Sequence, residues 1–82
     1  MMTYENFPSG TISSVEDIGN AVRNKRKADG LTQADAAALC GVGVRFIGDL
    51  ERGKKTAQIG KILKILRGLG LNLQIAPKGV RG

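Results

Sequence analysis

The 82-residue chain contains no histidine and a single cysteine. Without histidine it lacks the commonest general base and the commonest metal ligand, and one thiol cannot form a disulfide within the chain. No paired carboxylates sit in a plausible cleft and no metal-ligand cluster is present, so an enzyme is not expected, nor any metal or cofactor. The one near miss is GDLERGKK, residues 48–55, which fits the GxxxxGK spacing of a phosphate-binding loop. It ends in Lys55 where a serine or threonine must hold magnesium, and helical sequence precedes it instead of a strand, so the match is a coincidence of a basic loop. No apolar run approaches the roughly 18 residues of a membrane span. The N-terminus MMTYENFPSG lacks the basic start and apolar core of a secretion signal. A reducing cytoplasm is the expected location. Acidic residues are missing from the last third: residues 1–51 hold five basic and seven acidic side chains, residues 52–82 eight basic and none acidic. The net charge of +6 and the pI near 10 are therefore a local surplus. Such a surplus implies a polyanionic partner, either nucleic acid or an acidic membrane surface.

A chain this small buries only about 60–65% of its unfolded surface. With disulfide and metal excluded, a partner subunit is the remaining source of stability. Cys40, between Leu39 and Gly41, reads as a small buried hydrophobe.

Residues 1–12 mix Pro8, Gly10 and scattered polar groups without a period and read as an arm. Ser13 and Glu16 then have capping-box spacing, Ser14 is a competing cap, and Val15, Ile18 and Val22 recur at helical intervals. A first helix is predicted over about 15–28, with Arg23, Lys25, Arg26 and Lys27 on its other face and Gly30 as its left-handed stop. Thr32 caps a short, alanine-rich second helix, Gln33 to Cys40, and a third follows from Val44 to Leu50. Arg52-Gly53-Lys54-Lys55 is a basic loop. The fourth helix begins near Ala57, with Ile59, Ile62, Leu63, Leu66 and Leu69 inward and Ile65 widening the apolar stripe beyond one face. Residues 71–76, LNLQIA, change to period two and predict a lone strand. In an otherwise helical chain such a strand must pair with the arm or another chain, and its own copy across a twofold is the economical choice. Ile65, Leu69, Leu71, Leu73 and Ile75 are accordingly assigned to a dimer interface. The expected organisation is an arm over 1–12, a helical domain over 13–70, a dimerisation strand over 71–76 and a basic tail over 77–82.

Between the second and third helices, ALCGVGVRFIGDL breaks at Gly41. Ala37 is small where two helices must nearly touch, Gly41 can supply a positive φ, and Ala36, Cys40, Val42, Ile47 and Leu50 are apolar where they would lock one helix across the other. This combination fits a helix-turn-helix that aims its second helix at DNA. An ordinary helical hairpin meets some of the same requirements.

LTQADAAALCGVGVRFIGDLERGKK, residues 31–55, resembles the Xre/Cro family of phage-repressor-like helix-turn-helix domains, with their Leu-Thr-Gln start, Gly-Val turn and Glu-Arg-Gly-Lys close. The lead-in ISSVEDIGNAVRNKRKADG and the C-terminal strand look more specifically like HipB-type antitoxins, the DNA-binding partners of HipA-type kinase toxins. The resemblance implies an all-α, four- to five-helix domain with one C-terminal strand pairing across a dimer. It makes the third helix the recognition helix, with Gly43, Val44, Arg45, Gly48 and Asp49 at base edges. Arg45 is the best candidate, because a guanidinium can donate two hydrogen bonds to guanine. Thr32 and Gln33, with Arg52, Lys54 and Lys55, fall at phosphates. Arg26 and Glu51 fall where the family forms an ion pair between helices. The implied function is a dimeric repressor of double-stranded DNA that binds a palindromic operator, with a HipA-like toxin as a further partner. Glycines at 43 and 48 and the acid at 49 depart from the usual polar recognition surface, and Leu39 stands where a polar residue is usual.

A solitary phage-type repressor and a helical module that grips a protein with little DNA contact are the alternatives. Clustered cations around Arg45 and Arg52 to Lys55 favour DNA, and a steep loss of affinity with salt would discriminate.

Overall fold

A computed structural model describes residues 12–77. They form four helices, α1 (Val15–Ala28), α2 (Gln33–Cys40), α3 (Val44–Glu51) and α4 (Ile59–Gly68). The arm as far as residue 11 and the tail from 78 lie outside the described residues.

Local chemistry accounts for the boundaries. Ser14, not Ser13, caps α1: its hydroxyl accepts from the Asp17 N–H at 3.2 Å, and the Asp17 carboxylate accepts from the Ser13 N–H at 2.8 Å. The partner is thus an aspartate one residue beyond Glu16. At α2 the box is complete, with Thr32 Oγ1 accepting from Asp35 N–H at 3.0 Å and Asp35 Oδ2 from Thr32 N–H at 3.1 Å. Hydrogen bonding to the carboxylate from the Thr32 backbone N–H, and secondarily from the Thr32 side chain, holds the Asp35 carboxyl below its ordinary range. Gly41 closes α2 in the left-handed region, with φ 71° and ψ 35°. Its N–H and that of Val42, the latter at 3.1 Å, both reach the Ala37 carbonyl. A side chain at 41 would make that turn strained, which is why the helix breaks at a glycine.

The core contains Val22, Ala36, Ala37, Cys40, Ile47, Leu50, Ile62, Ile65, Leu66 and Leu69. Fully burying a valine, leucine or isoleucine side chain contributes about 1.5–3 kcal/mol; Val22, Ile47, Leu50 and Ile65 are in that position. Helix α3 packs on α1 and α2, and α4 packs on α2. The α2–α4 approach is close enough that a methyl on Gly68 would lie 2.6 Å from Cys40 Sγ. Burial pushes the Cys40 thiol pKa up.

The stripe of α4 differs from the expected one. Ile65 and Leu69 are 0% and 3% exposed within the single chain, so they are core residues and not a surface awaiting a partner. Ile59 and Leu63, expected inside, are 60% and 40% exposed. At 3.6 residues per turn, positions 62, 65, 66 and 69 make one continuous face, and 59 and 63 lie on its flank. Leu71 is half-buried against the core. Beyond it, residues 71–77 adopt no regular secondary structure, and Ile75 is 92% exposed. No strand forms among the described residues.

Candidate nucleic-acid interface

Helix α3 is short and presents one end outward. Gly43 precedes it in extended conformation without a side-chain cap, leaving the first amide groups of the helix without a side-chain acceptor from the cap residue. Val44 and Arg45, in the first turn, are exposed, as is Gly43. Arg45 takes part in none of the ion pairs among the described residues. The opposite face of α3 buries Ile47 and Leu50, and Phe46 is half-buried under Lys61, whose Nζ lies 5.4 Å from the ring centroid.

The far end of α3 is fixed by charge. Arg26 of α1 donates from Nε to Glu51 Oε2 at 2.7 Å and from Nη2 to Glu51 Oε1 at 2.9 Å. Its Nη1 donates to the Leu31 carbonyl at 2.9 Å, and Gln33 Nε2 donates to Glu51 Oε1 at 3.2 Å. The two charged side chains are only 10% and 5% exposed. Desolvation pushes the Glu51 carboxyl up, but the bonds from Arg26 and Gln33 outweigh it and hold the group below the usual glutamate range. The bond to Glu51 raises Arg26 against the opposing effect of burial. A two-pronged, fully bonded pair of this kind fixes the angle between α1 and α3.

Other site positions are placed differently from their expected roles. Gly48 is buried, not exposed: a methyl there would sit 3.3 Å from Arg52 Nη1 and 3.6 Å from Gln33 Oε1. It lies on the side of α3 facing the start of α2, about a sixth of a turn from Arg45, and it is the Arg52 and Gln33 side chains that cover it. Asp49 is committed to Arg52, at 2.5 Å, and to Lys54, at 3.5 Å. Gln33 turns its amide nitrogen inward to Glu51, and Thr32 spends both its hydroxyl and its N–H on Asp35. The backbone start of α2 and the exposed Arg52, Lys54 and Lys55 remain on the surface.

Arg23 and Lys27, on the polar face of α1, line an open polar hollow with Arg52, Gly48, Gln33 and the Arg26–Glu51 pair. Their i, i+4 spacing was the available signal, but only the crossing of α1 over α3 brings them beside Arg52.

A helix-turn-helix family model, Xre-like in type, matches residues 22–75. A HTH-type transcriptional regulator of Sinorhizobium fredii (strain NBRC 101917 / NGR234), y4mF, is 50% identical over 70 residues, 85% of this chain and 92% of the relative. Among solved structures, the HipB–O2 20mer complex superposes with a TM-score of 0.78 at 25% identity, covering 87% of this chain and 99% of that one. HipB in the HipA-HipB-O2-O3 complex has the same fold, with a TM-score of 0.77, 24% identity and coverage of 85% and 99%. The turn at Gly41, the outward-facing α3 and the matched family pattern have one reading: this chain belongs to the Xre-like helix-turn-helix family of DNA-binding transcriptional regulators.

Proposed function

We propose that the chain is a sequence-specific repressor that binds a palindromic operator as a homodimer, and that it serves as the antitoxin of a HipA-like toxin–antitoxin operon, repressing its own promoter. The observation that carries the reading is the placement of Arg45. It stands exposed on the leading turn of a helix whose other end is fixed by the Arg26–Glu51 pair, so the guanidinium is delivered in a defined direction. Arg45 would read guanine and Val44 a thymine methyl in the major groove, with Gly43 allowing close backbone approach. Arg52, Lys54 and Lys55, with the N–H groups at the start of α2 next to Thr32 and Gln33, would contact phosphates, and Arg23 and Lys27 extend that cationic rim.

Dimerisation is supported by the apolar groups the single chain leaves exposed: Ile59 and Leu63 on α4, and Leu73 and Ile75 on the extended segment. Among the described residues that segment makes no backbone ladder, so the main chain of a second copy could pair with it. Two recognition helices would then enter successive major grooves about 34 Å apart. The HipB complexes, one of them with HipA, support the toxin assignment.

The test is selection of bound duplexes from a randomised library, followed by fluorescence titration of the recovered sequence over a range of salt. Three phosphate-binding cations per subunit give six per dimer and a slope of about −5.4 in log K against log[salt]. Replacing Arg52, Lys54 and Lys55 by glutamine removes that slope if they contact phosphates. An unchanged slope, or a library that yields no preferred sequence, refutes the reading.

A further inference from the structure

An acid on the recognition helix beside phosphate-binding cations requires an account. Asp49 Oδ1 accepts from Arg52 Nη2 at 2.5 Å and Oδ2 from Lys54 Nζ at 3.5 Å. Its main-chain carbonyl also accepts from the N–H of Arg52 at 3.2 Å and of Lys54 at 3.0 Å. One residue therefore holds two of the three loop cations by backbone and side chain together. The Asp49 side chain is 19% exposed, whereas Arg52 and Lys54 are 70% and 53% exposed. Ion pairs whose cations are this exposed contribute little, so a competing partner can break them. A DNA phosphate competes for the cations, and the exocyclic amino group of cytosine competes for the carboxylate, being the donor an aspartate reads in the major groove.

We propose that Asp49 determines specificity by exchange: on unmatched DNA its carboxylate keeps Arg52 and Lys54 off the phosphates, and a cytosine amino group in the matched operator takes the carboxylate and releases both cations to the backbone. This rests on α3 being the recognition helix. Affinity for random sequence is held down because, without a cytosine donor at that step, Asp49 keeps both cations paired and neither reaches a phosphate. At the operator, base reading and phosphate binding are then gained together. Lys55, which takes part in none of the ion pairs among the described residues, serves both kinds of DNA alike.

The experiment measures log K against log[salt] for the library-selected duplex and for a shuffled duplex of the same composition. Two cations per subunit, four per dimer, make the selected duplex steeper by about 3.6. Asp49→Asn steepens the shuffled duplex by that amount and narrows discrimination, whereas Asp49→Glu, which keeps the charge, leaves the shuffled slope at its parental value. In an Arg52→Gln/Lys54→Gln background, Asp49→Asn no longer changes the shuffled slope. Equal parental slopes on the two duplexes overturn the exchange while leaving the recognition helix intact. So does a change on Asp49→Asn that persists without the two cations, which would be simple loss of repulsion. If no selected duplex is preferred over the shuffled one, the recognition-helix reading fails and the exchange fails with it.

Discussion

Removing Glu51 should unfold much of the protein, and removing Arg26 with it should restore most of the loss. Arg26 makes three hydrogen bonds, two of them to Glu51, at 10% side-chain exposure. In Glu51→Leu the guanidinium keeps only the Leu31 carbonyl and cannot reach water freely, and the amide of Gln33 also loses its acceptor. Breaking one side of a buried pair costs about 3–5 kcal/mol. Domains of this size have a total stability of about 4–12 kcal/mol. Each kcal/mol lowers Tm by about 4–8 °C, so even the lower cost shifts the midpoint by about 12 °C or more. The double variant Arg26→Met/Glu51→Leu fills the same space with apolar groups and leaves no charge uncompensated; it should lie within about 2 kcal/mol of the parent, on either side. Urea denaturation of the four proteins gives the coupling directly. Additive single and double effects, or a Glu51→Leu loss below about 1 kcal/mol, would refute the claim that this pair is buried and mutually dependent. The same geometry fixes a pH dependence. The folded-state pKa of Glu51 is depressed, so its stabilisation is present above the ordinary glutamate value of about 4.3 and is lost as pH falls from there through the folded value. Parental stability should decline in that acid range, and Arg26→Met/Glu51→Leu should decline less.

Gly19→Ala should destabilise by about 1–3 kcal/mol or more, because its methyl would collide with the Leu50 carbonyl oxygen and come within 3.2 Å of Glu51 Cα; thermal denaturation reads the loss, and a neutral result would mean that α1 and α3 cross less tightly. Arg45→Ala should leave stability unchanged while reducing operator discrimination by about 1–3 kcal/mol, seen as selected and shuffled duplexes moving together in competition titrations. Leu73→Ser/Ile75→Ser should shift sedimentation from dimer toward monomer without lowering helical content, since both side chains lie on the exposed extended segment; an unaltered distribution would place the dimer contact elsewhere.

Which parts of this molecule were legible in the sequence follows from how local their causes are. The extent of α1 and α2, the stop at Gly41 and the capping by Thr32 depend on residues within one or two turns, so spacing and residue type were sufficient. The choice of Ser14 over Ser13 was not, because either hydroxyl can cap, and the aspartate that completes the arrangement lies three residues past the serine that wins. The Arg26–Glu51 pair was reached only through family resemblance, as nothing local couples positions 25 residues apart.

The sequence by itself determined the four-helix order, the turn and the cationic stretch after α3, because periodicity, positive φ and charge are carried by neighbouring residues. Tertiary structure alone decided that Ile65 and Leu69 belong to the core while Ile59 and Leu63 face outward, since an apolar stripe wider than one face does not say which part another helix will cover. It also buried Gly48 beneath Arg52, bound Asp49 to two cations and brought Arg23 and Lys27 to the same rim. Each of these depends on where helices cross, and a crossing is a property of the packed chain and not of any segment within it.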